Sequence, residues 1–527
     1  MKSGSIGQPL LEQQLRSVHK TESAACNQLN QLTLERKVSE TTLVPVTLNS
    51  YPLGAADHLN VPEDLSKVGY VEEEYFISGL ANVYEWVAPA PATIEVPNAP
   101  YATRMLVRRP IQKERLSGNV IVEILNATNL VDLEIGWALS KQYIVRNGDV
   151  WIGFTSKPVA AAALQKFNPT RYAPLNWANP LPLSSSQNCT ELVSIIPGDS
   201  SRTTENGLIW DIFSQIAAWT RSNDDFKPNG CVLNVYGYGY SQSGFDLQTY
   251  VDAVFPLAKQ ENGKPIFDGF LIATGFNTPA PINQCSPAPS GSGAGQIKNA
   301  GVPIIRMASD SETLLASVQA GRRADSNQPQ DRFREYEVAG AAHASQNELD
   351  YGPAYADILA AGAPMPPLTA GFGPRSPLNI GIFQSAAFAN LDLWVRNNVP
   401  PPSGALINFQ DGAPVLDTFG NPTGGVRSTW LNVPTAQWFS SSPGPGLNFL
   451  LGYVHPFDGP HLRPLYPSHH EYVVDVINSV RGLVNQGYIL REDGDEIINQ
   501  AQHSDVPTLA DIPSDIPDDL KYLENWK

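Results

Sequence analysis

Seven short apolar runs, several of them rich in β-branched residues, constrain the fold of this chain more than any other feature. They occupy residues 105–107, 119–125, 149–155, 232–236, 267–273, 302–308 and 333–338. Runs with so little polar alternation suit strands covered on both faces, as in a parallel sheet. Helical patterns lie between them. Residues 208–220 carry an apolar stripe wide enough to cover a sheet, residues 243–258 follow the fourth run directly, and residues 386–399 contain FANLDLWV. Strands alternating with helices make βαβ units with right-handed crossovers. The pattern therefore predicts an α/β chain with a mostly parallel central sheet flanked by helices. No internal repeat is visible.

Three stretches break that rhythm. Residues 156–206 are rich in Pro, Ser and Asn and read as an insertion over the sheet edge. Residues 278–300 form a low-complexity loop, and residues 400–465 a Pro/Gly-rich excursion with short β-like pieces. These are expected to be lid-like insertions in one domain spanning 41–527, preceded by a polar arm over 1–40. With 41 glycines and 45 prolines, long loops and many turns are expected rather than a helical bundle. The elaborated C-terminal region returns to helix, with Ser468 capping residues 469–482 and a further helix over 492–502.

Composition excludes several classes. Hydrophobic residues make up 42% of the chain, enough for a large core, which excludes wholesale disorder. Lys and Arg total 35 against 52 Asp and Glu, a net charge of −17, with no basic cluster to attract a phosphate backbone, so nucleic acid is not an expected partner. No run approaches the ~18 apolar residues of a membrane span. The first residues lack the apolar core of a signal peptide, as a cytoplasmic chain or a secreted one with its leader removed would, so the address stays open. Cys26, Cys189, Cys231 and Cys285 have no CxxC spacing, and no metal site is expected. Isolated thiols are the simpler reading, and a bridge between Cys189 and Cys285 stays open.

Chemistry concentrates at Val235-Tyr236-Gly237-Tyr238-Gly239-Tyr240-Ser241-Gln242-Ser243-Gly244, where an apolar strand ends in G-Y-S-Q-S-G and a helix begins at once. That is the context of a nucleophile elbow, whose strained turn tolerates only small residues two before and two after the nucleophile. Gly239 and Ser243 meet that need around Ser241. A serine hydroxyl needs a base, and chains with this turn carry nucleophile, acid and histidine in that order. His343, in EVAGAAHA after the last apolar run, stands where the base belongs. The strand over 302–308 ends in Ser309-Asp310-Ser311-Glu312, which offers two acids to orient the imidazole. Glu312, nine residues after Pro303, is preferred, and the shorter Asp310 stays open. A developing oxyanion needs two N–H donors. The Gln242 amide is expected to be one, and the amide of Asn126 or Ala127, in the loop after NVIVEIL, the other. Glu123, inside that apolar strand, is expected to have a structural use, paired with a buried Arg.

Further marks are GYVEEEYFISGLANVY (69–84), PYATRMLVRRP (100–110), NVIVEILNATN (119–129), GNPTGGVRSTWLNVPTA (420–436) and PFDGPHLRPLYPSHHEYV (456–473). With GYSQSG and EVAGAAHA they make the chain resemble the large α/β-hydrolase-domain proteins of the poorly characterised serine-esterase type, over about residues 69–502. The resemblance implies an α/β-hydrolase fold, with Ser241 as nucleophile and His343 as base. The family's acid loop commonly reads S-E-T-D, so the two acidic positions here have exchanged identities. The implied reaction is hydrolysis of a small-molecule carboxylic ester through an acyl-enzyme, without cofactor or metal. The same triad could cleave lactones or amides or transfer acyl groups, and a catalytically silent scaffold used for binding is the alternative of a different class. Arg427, after Gly424 and Gly425, reads most simply as a structural salt bridge that fixes the excursion, and holding a substrate carboxylate is the other role open to it.

Overall fold

The computed structural model describes residues 38–228, 234–260, 262–289, 296–297 and 300–507. Cys26, Cys231 and residues 1–37 of the expected arm lie outside them. Among the described residues the centre is a sheet of eleven strands. In chain order its first ten are β1 (Glu40–Val44), β2 (Tyr70–Glu85), β3 (Thr93–Pro110), β4 (Asn119–Ile124), β5 (Val150–Phe154), β6 (Asn234–Tyr240), β7 (Gly269–Ala273), β8 (Ile304–Ser309), β9 (Ser326–Gln328) and β10 (Asp331–Ala339). They are ordered β1-β2-β3-β5-β4-β6-β7-β8-β10, and Val426–Arg427 adds a short strand beyond β10 while β9 pairs beside it. From β5 through β10 to Val426–Arg427 the ladder is parallel. β1, β2, β3 and β5 pair antiparallel.

Alternate residues of the parallel strands feed two cores. Val120, Val122, Ile152, Val235 and Phe270 pack on one face under the helix Ile209–Ser222. Ile121, Trp151, Tyr236, Tyr238 and Leu271 pack on the other, under the helices Ile135–Asn147 and Gly381–Asn397. Burial on both faces is why these strands have near-continuous apolar sequences. Glu123 is buried among them, and among the described residues no arginine pairs with it. Its carboxyl accepts hydrogen bonds from the Gly136 amide (2.7 Å) and the Trp151 indole (2.8 Å), and burial pushes its pKa up to about 8.

The long β2–β3 hairpin is more than the run at 105–107 suggested, because that run is only the buried tail of an 18-residue strand. Two fully buried arginines on it reach into the loop after β4. Arg104 pairs with Asp132 at 3.0 Å and Glu74 at 3.2 Å, and Arg108 with Glu134 and Glu72, each at 2.7 Å. Removing one partner of such a buried pair costs about 3–5 kcal/mol, so the loop at 130–134 is firmly held.

Of the three irregular stretches, 156–206 opens with the helix Pro158–Phe167 and then runs as loops. Cys189 and Cys285 are joined by a disulfide, Cα atoms 5.7 Å apart, that ties this stretch to the 278–300 loop; the simpler reading of isolated thiols does not hold for them. The excursion at 400–465 supplies the strand Val426–Arg427 and the hairpin Ala436–Phe439/Tyr453–Pro456. The C-terminal helices are His469–Gln486, with the Ser468 hydroxyl accepting from the Glu471 amide, and Arg491–His503.

After β4 the chain turns to β5 on one side, while β6 joins β4 on the other. Such a reversal of strand order opens a crevice at the carboxyl ends of the two strands, where ligands of α/β sheets bind. Residues 125–128 and Ser241 leave those two ends.

Candidate active site

Ser241 has φ 57° and ψ −121°, a strained conformation for a non-glycine residue, between the last residue of β6 and the helix Gln242–Thr249. The turn is tight: a Cβ on Gly239 would stand 2.2 Å from the Ser243 carbonyl oxygen. The Ser243 hydroxyl donates to the Tyr240 carbonyl and lies within hydrogen-bond reach of the Tyr240 amide, both at 3.0 Å, which fastens the strand end. The Ser241 amide donates to the Ala273 carbonyl (3.0 Å) and the Thr274 hydroxyl (3.1 Å) at the end of β7.

His343 leaves the end of β10 and brings its Nε2 to 2.8 Å from the Ser241 Oγ. Its Nδ1 lies 3.1 Å from Glu312 Oε2. The imidazole is 4% exposed, with ring centroids of Tyr240 and Phe276 at 5.6 and 5.2 Å. Its backbone is held as well, since its amide donates to the Ser311 hydroxyl at 2.8 Å and its carbonyl accepts from the Tyr240 hydroxyl at 2.6 Å. Glu312 is positioned by a reciprocal cap: its Oε1 accepts from the Ser309 amide at 2.7 Å and its Oε2 from the Ser309 hydroxyl.

Asp310 faces elsewhere. Its carboxyl accepts from the Gly340 amide (3.1 Å) and the Thr313 hydroxyl (3.4 Å), and its own amide donates to the Ala341 carbonyl (3.0 Å). It braces the loop that carries His343, and burial pushes its pKa up to about 6. Of the two acids, only Glu312 meets the imidazole.

The opposite side of Ser241 departs from expectation. Gln242 opens its helix, where first-turn amides have no partner within the helix. The Asn126 amide donates to the Leu133 carbonyl (3.1 Å), and the Ala127 amide to the side-chain oxygen of Gln242 (2.9 Å). Both expected second donors are therefore spent. The Gln242 side chain is itself held through its nitrogen by buried Asp246, which pairs with Lys157 at 3.0 Å. Asn126 also donates from its side chain to the Tyr240 carbonyl (2.8 Å) and accepts from the Thr128 amide (2.8 Å). Nothing in the sequence signalled this use of the Gln242 side chain.

A cavity of ≈ 140 Å³ lies over these groups. Ser241, His343 and Thr128 line it together with apolar Leu133, Ile358 and Leu451. A larger depression of ≈ 880 Å³ sits at the Cys189–Cys285 bridge and includes none of them. Arg427 lines neither: it is bound to Asp417 (2.7 Å), the Leu431 carbonyl (2.8 Å) and Asn432 (3.2 Å), and it fastens the excursion instead of reaching a ligand. Among the described residues, no group of three His, Cys, Asp or Glu side chains could hold a metal ion, and no helix is long and apolar enough to cross a membrane.

A comparison with curated protein sequences finds no match. Among solved structures, esterase Est22 is 12% identical, covering 69% of this chain and 92% of its own, with a TM-score of 0.29. A Pyrobaculum calidifontis esterase is 11% identical over 45% and 71%, with a TM-score of 0.25. A putative dienelactone hydrolase from Klebsiella pneumoniae is 11% identical over 55% and 95%, with a TM-score of 0.24. Likenesses this faint carry no weight beside the sequence model of one family, described as an alpha/beta hydrolase domain, which matches residues 38–499. Its span takes in the whole parallel sheet and both loops that meet at Ser241, and the chain belongs to that alpha/beta hydrolase family.

Proposed function

We propose that the protein is a serine hydrolase that cleaves carboxylic esters through an acyl-enzyme. The observation that carries the reading is the relay of 2.8 and 3.1 Å contacts joining Ser241, His343 and Glu312. Ser241 Oγ attacks the ester carbonyl carbon while its proton passes to His343 Nε2. The bond to the alcohol oxygen breaks, and the imidazolium returns that proton to the departing alkoxide. Water then attacks the acyl-enzyme and gives a proton to His343. The bond to Ser241 Oγ breaks, and the serine recovers its proton. Glu312 keeps the Nδ1–H pointed away from the serine and stabilises the imidazolium. The Gln242 amide donates to the oxyanion.

The cavity supports a small substrate. Its ≈ 140 Å³ is well below the roughly 300–1,000 Å³ of sites for drug-sized ligands, and its walls are largely apolar. Short-chain acyl esters are the predicted class. A p-nitrophenyl ester series tests both points: acetate and butyrate should turn over faster than decanoate. Ser241→Ala should lower kcat at least ~10⁴-fold with the melting temperature nearly unchanged. Activity retained in that variant would remove Ser241 from the mechanism.

A further inference from the structure

We propose that the side-chain hydroxyl of Thr128, rather than a second backbone amide, completes the oxyanion hole beside the Gln242 amide. The inference rests on the serine-hydrolase reading above and adds a residue to it. In the loop after β4, three consecutive amides are already committed: Asn126 to the Leu133 carbonyl, Ala127 to the Gln242 side chain and Thr128 to the Asn126 side chain. Freeing Ala127 would require Gln242 to let go of Asp246, a buried carboxylate whose other oxygen is bound to Lys157. That network works against the amide becoming available during turnover.

Among the described residues Thr128 Oγ1, a buried atom, has no hydrogen-bond partner, and Thr128 lines the same cavity as Ser241 and His343. A buried hydroxyl without a partner is destabilising, and a ligand that supplies the missing acceptor removes that cost. The acceptor that arises in this cavity is the carbonyl oxygen as it becomes an oxyanion. The loop is also fixed against the nucleophile, since the Asn126 side chain donates to the Tyr240 carbonyl, one residue before Ser241. A hydroxyl can rotate its proton toward the charge as it forms, so this donor would act in the transition state more than on the bound ester.

Thr128→Val removes the hydroxyl and keeps the shape; Thr128→Ser keeps the hydroxyl. With p-nitrophenyl acetate, Thr128→Val should lower kcat by ~10²–10³-fold with KM little changed. Thr128→Ser should stay within a few-fold of the parent, and neither variant should lower the melting temperature, since Thr128→Val removes an unpartnered buried hydroxyl. A trifluoromethyl ketone, which binds as a tetrahedral adduct, should lose affinity in Thr128→Val and keep it in Thr128→Ser. Parent-like kcat in Thr128→Val would overturn the assignment, as would an equal loss in both variants. The outcome is separable from the underlying reading, because failure of that reading appears as activity in Ser241→Ala.

Discussion

The two sides of Ser241 are built differently. On the histidine side, four consecutive residues, Ser309 to Glu312, each take a part: Ser309 caps Glu312, Asp310 braces the loop at Gly340, Ser311 holds the His343 amide and Glu312 meets its ring. On the carbonyl side the parts come from segments far apart in sequence. Ala127 and Gln242 are separated by 115 positions, and Lys157 and Asp246 by 89. A single turn can be specified by a short stretch of sequence. A junction of three segments depends on the sheet bringing them together, and the buried Lys157–Asp246 pair is one of the contacts that hold it.

That contrast can be broken at either side. The largest expected effect is on the histidine side. Glu312→Gln should lower kcat for p-nitrophenyl acetate by ~10³–10⁴-fold, because the amide no longer fixes the tautomer or stabilises the imidazolium. Asp310→Asn should stay within about tenfold, since Asp310 touches the loop and not the ring. A reversal of that order would exchange the roles of the two acids.

On the carbonyl side, Lys157→Met leaves the Asp246 carboxyl buried without its cation. Unfolding in urea should show a loss of about 3–5 kcal/mol, far more than a surface lysine would cost. An unchanged midpoint would mean that the junction does not depend on this pair.

A smaller effect concerns pH. The folded pKa of Asp310, about 6, lies above its ordinary value of 3.8, with burial as the main cause. Below the lower value the group is neutral in both states and its contribution is fully present. It is lost as pH rises through about 6, where the folded protein must ionise a buried carboxyl. Between pH 4 and pH 7 the parent should therefore lose on the order of 2 kcal/mol relative to Asp310→Asn, read from urea unfolding at each pH. A difference that grows in the opposite direction would mean that the native loop favours the charged form.

The same contrast explains what the sequence made legible. Strands β4 to β8 and β10 could be read as apolar runs because helices cover both faces. The hairpin was harder, since β2 mixes buried and half-exposed positions without a strict period of two. The helix Ile135–Asn147 was missed because seven of its residues, Gly136 to Ser140 with Tyr143 and Ile144, are buried around much of its circumference, which erases the stripe. Ser241 and His343 stood out because the elbow and the small-residue loop are local constraints on residue size. The choice between Asp310 and Glu312 depended on the direction of a four-residue helical turn. The fate of the Ala127 amide depended on a glutamine from another strand end, which spacing along the chain does not encode. Arg427 drew attention through its neighbouring glycines, yet its partner Asp417 lies ten positions earlier in the same excursion.

The most direct test of the account is the intact mass of the folded protein after exposure to a fluorophosphonate probe, followed by peptide mapping. The predicted result is one adduct per chain on Ser241, absent in Ser241→Ala and formed far more slowly in His343→Ala. A folded protein that takes up no probe, or that takes it up equally well without the Ser241 hydroxyl, would contradict it.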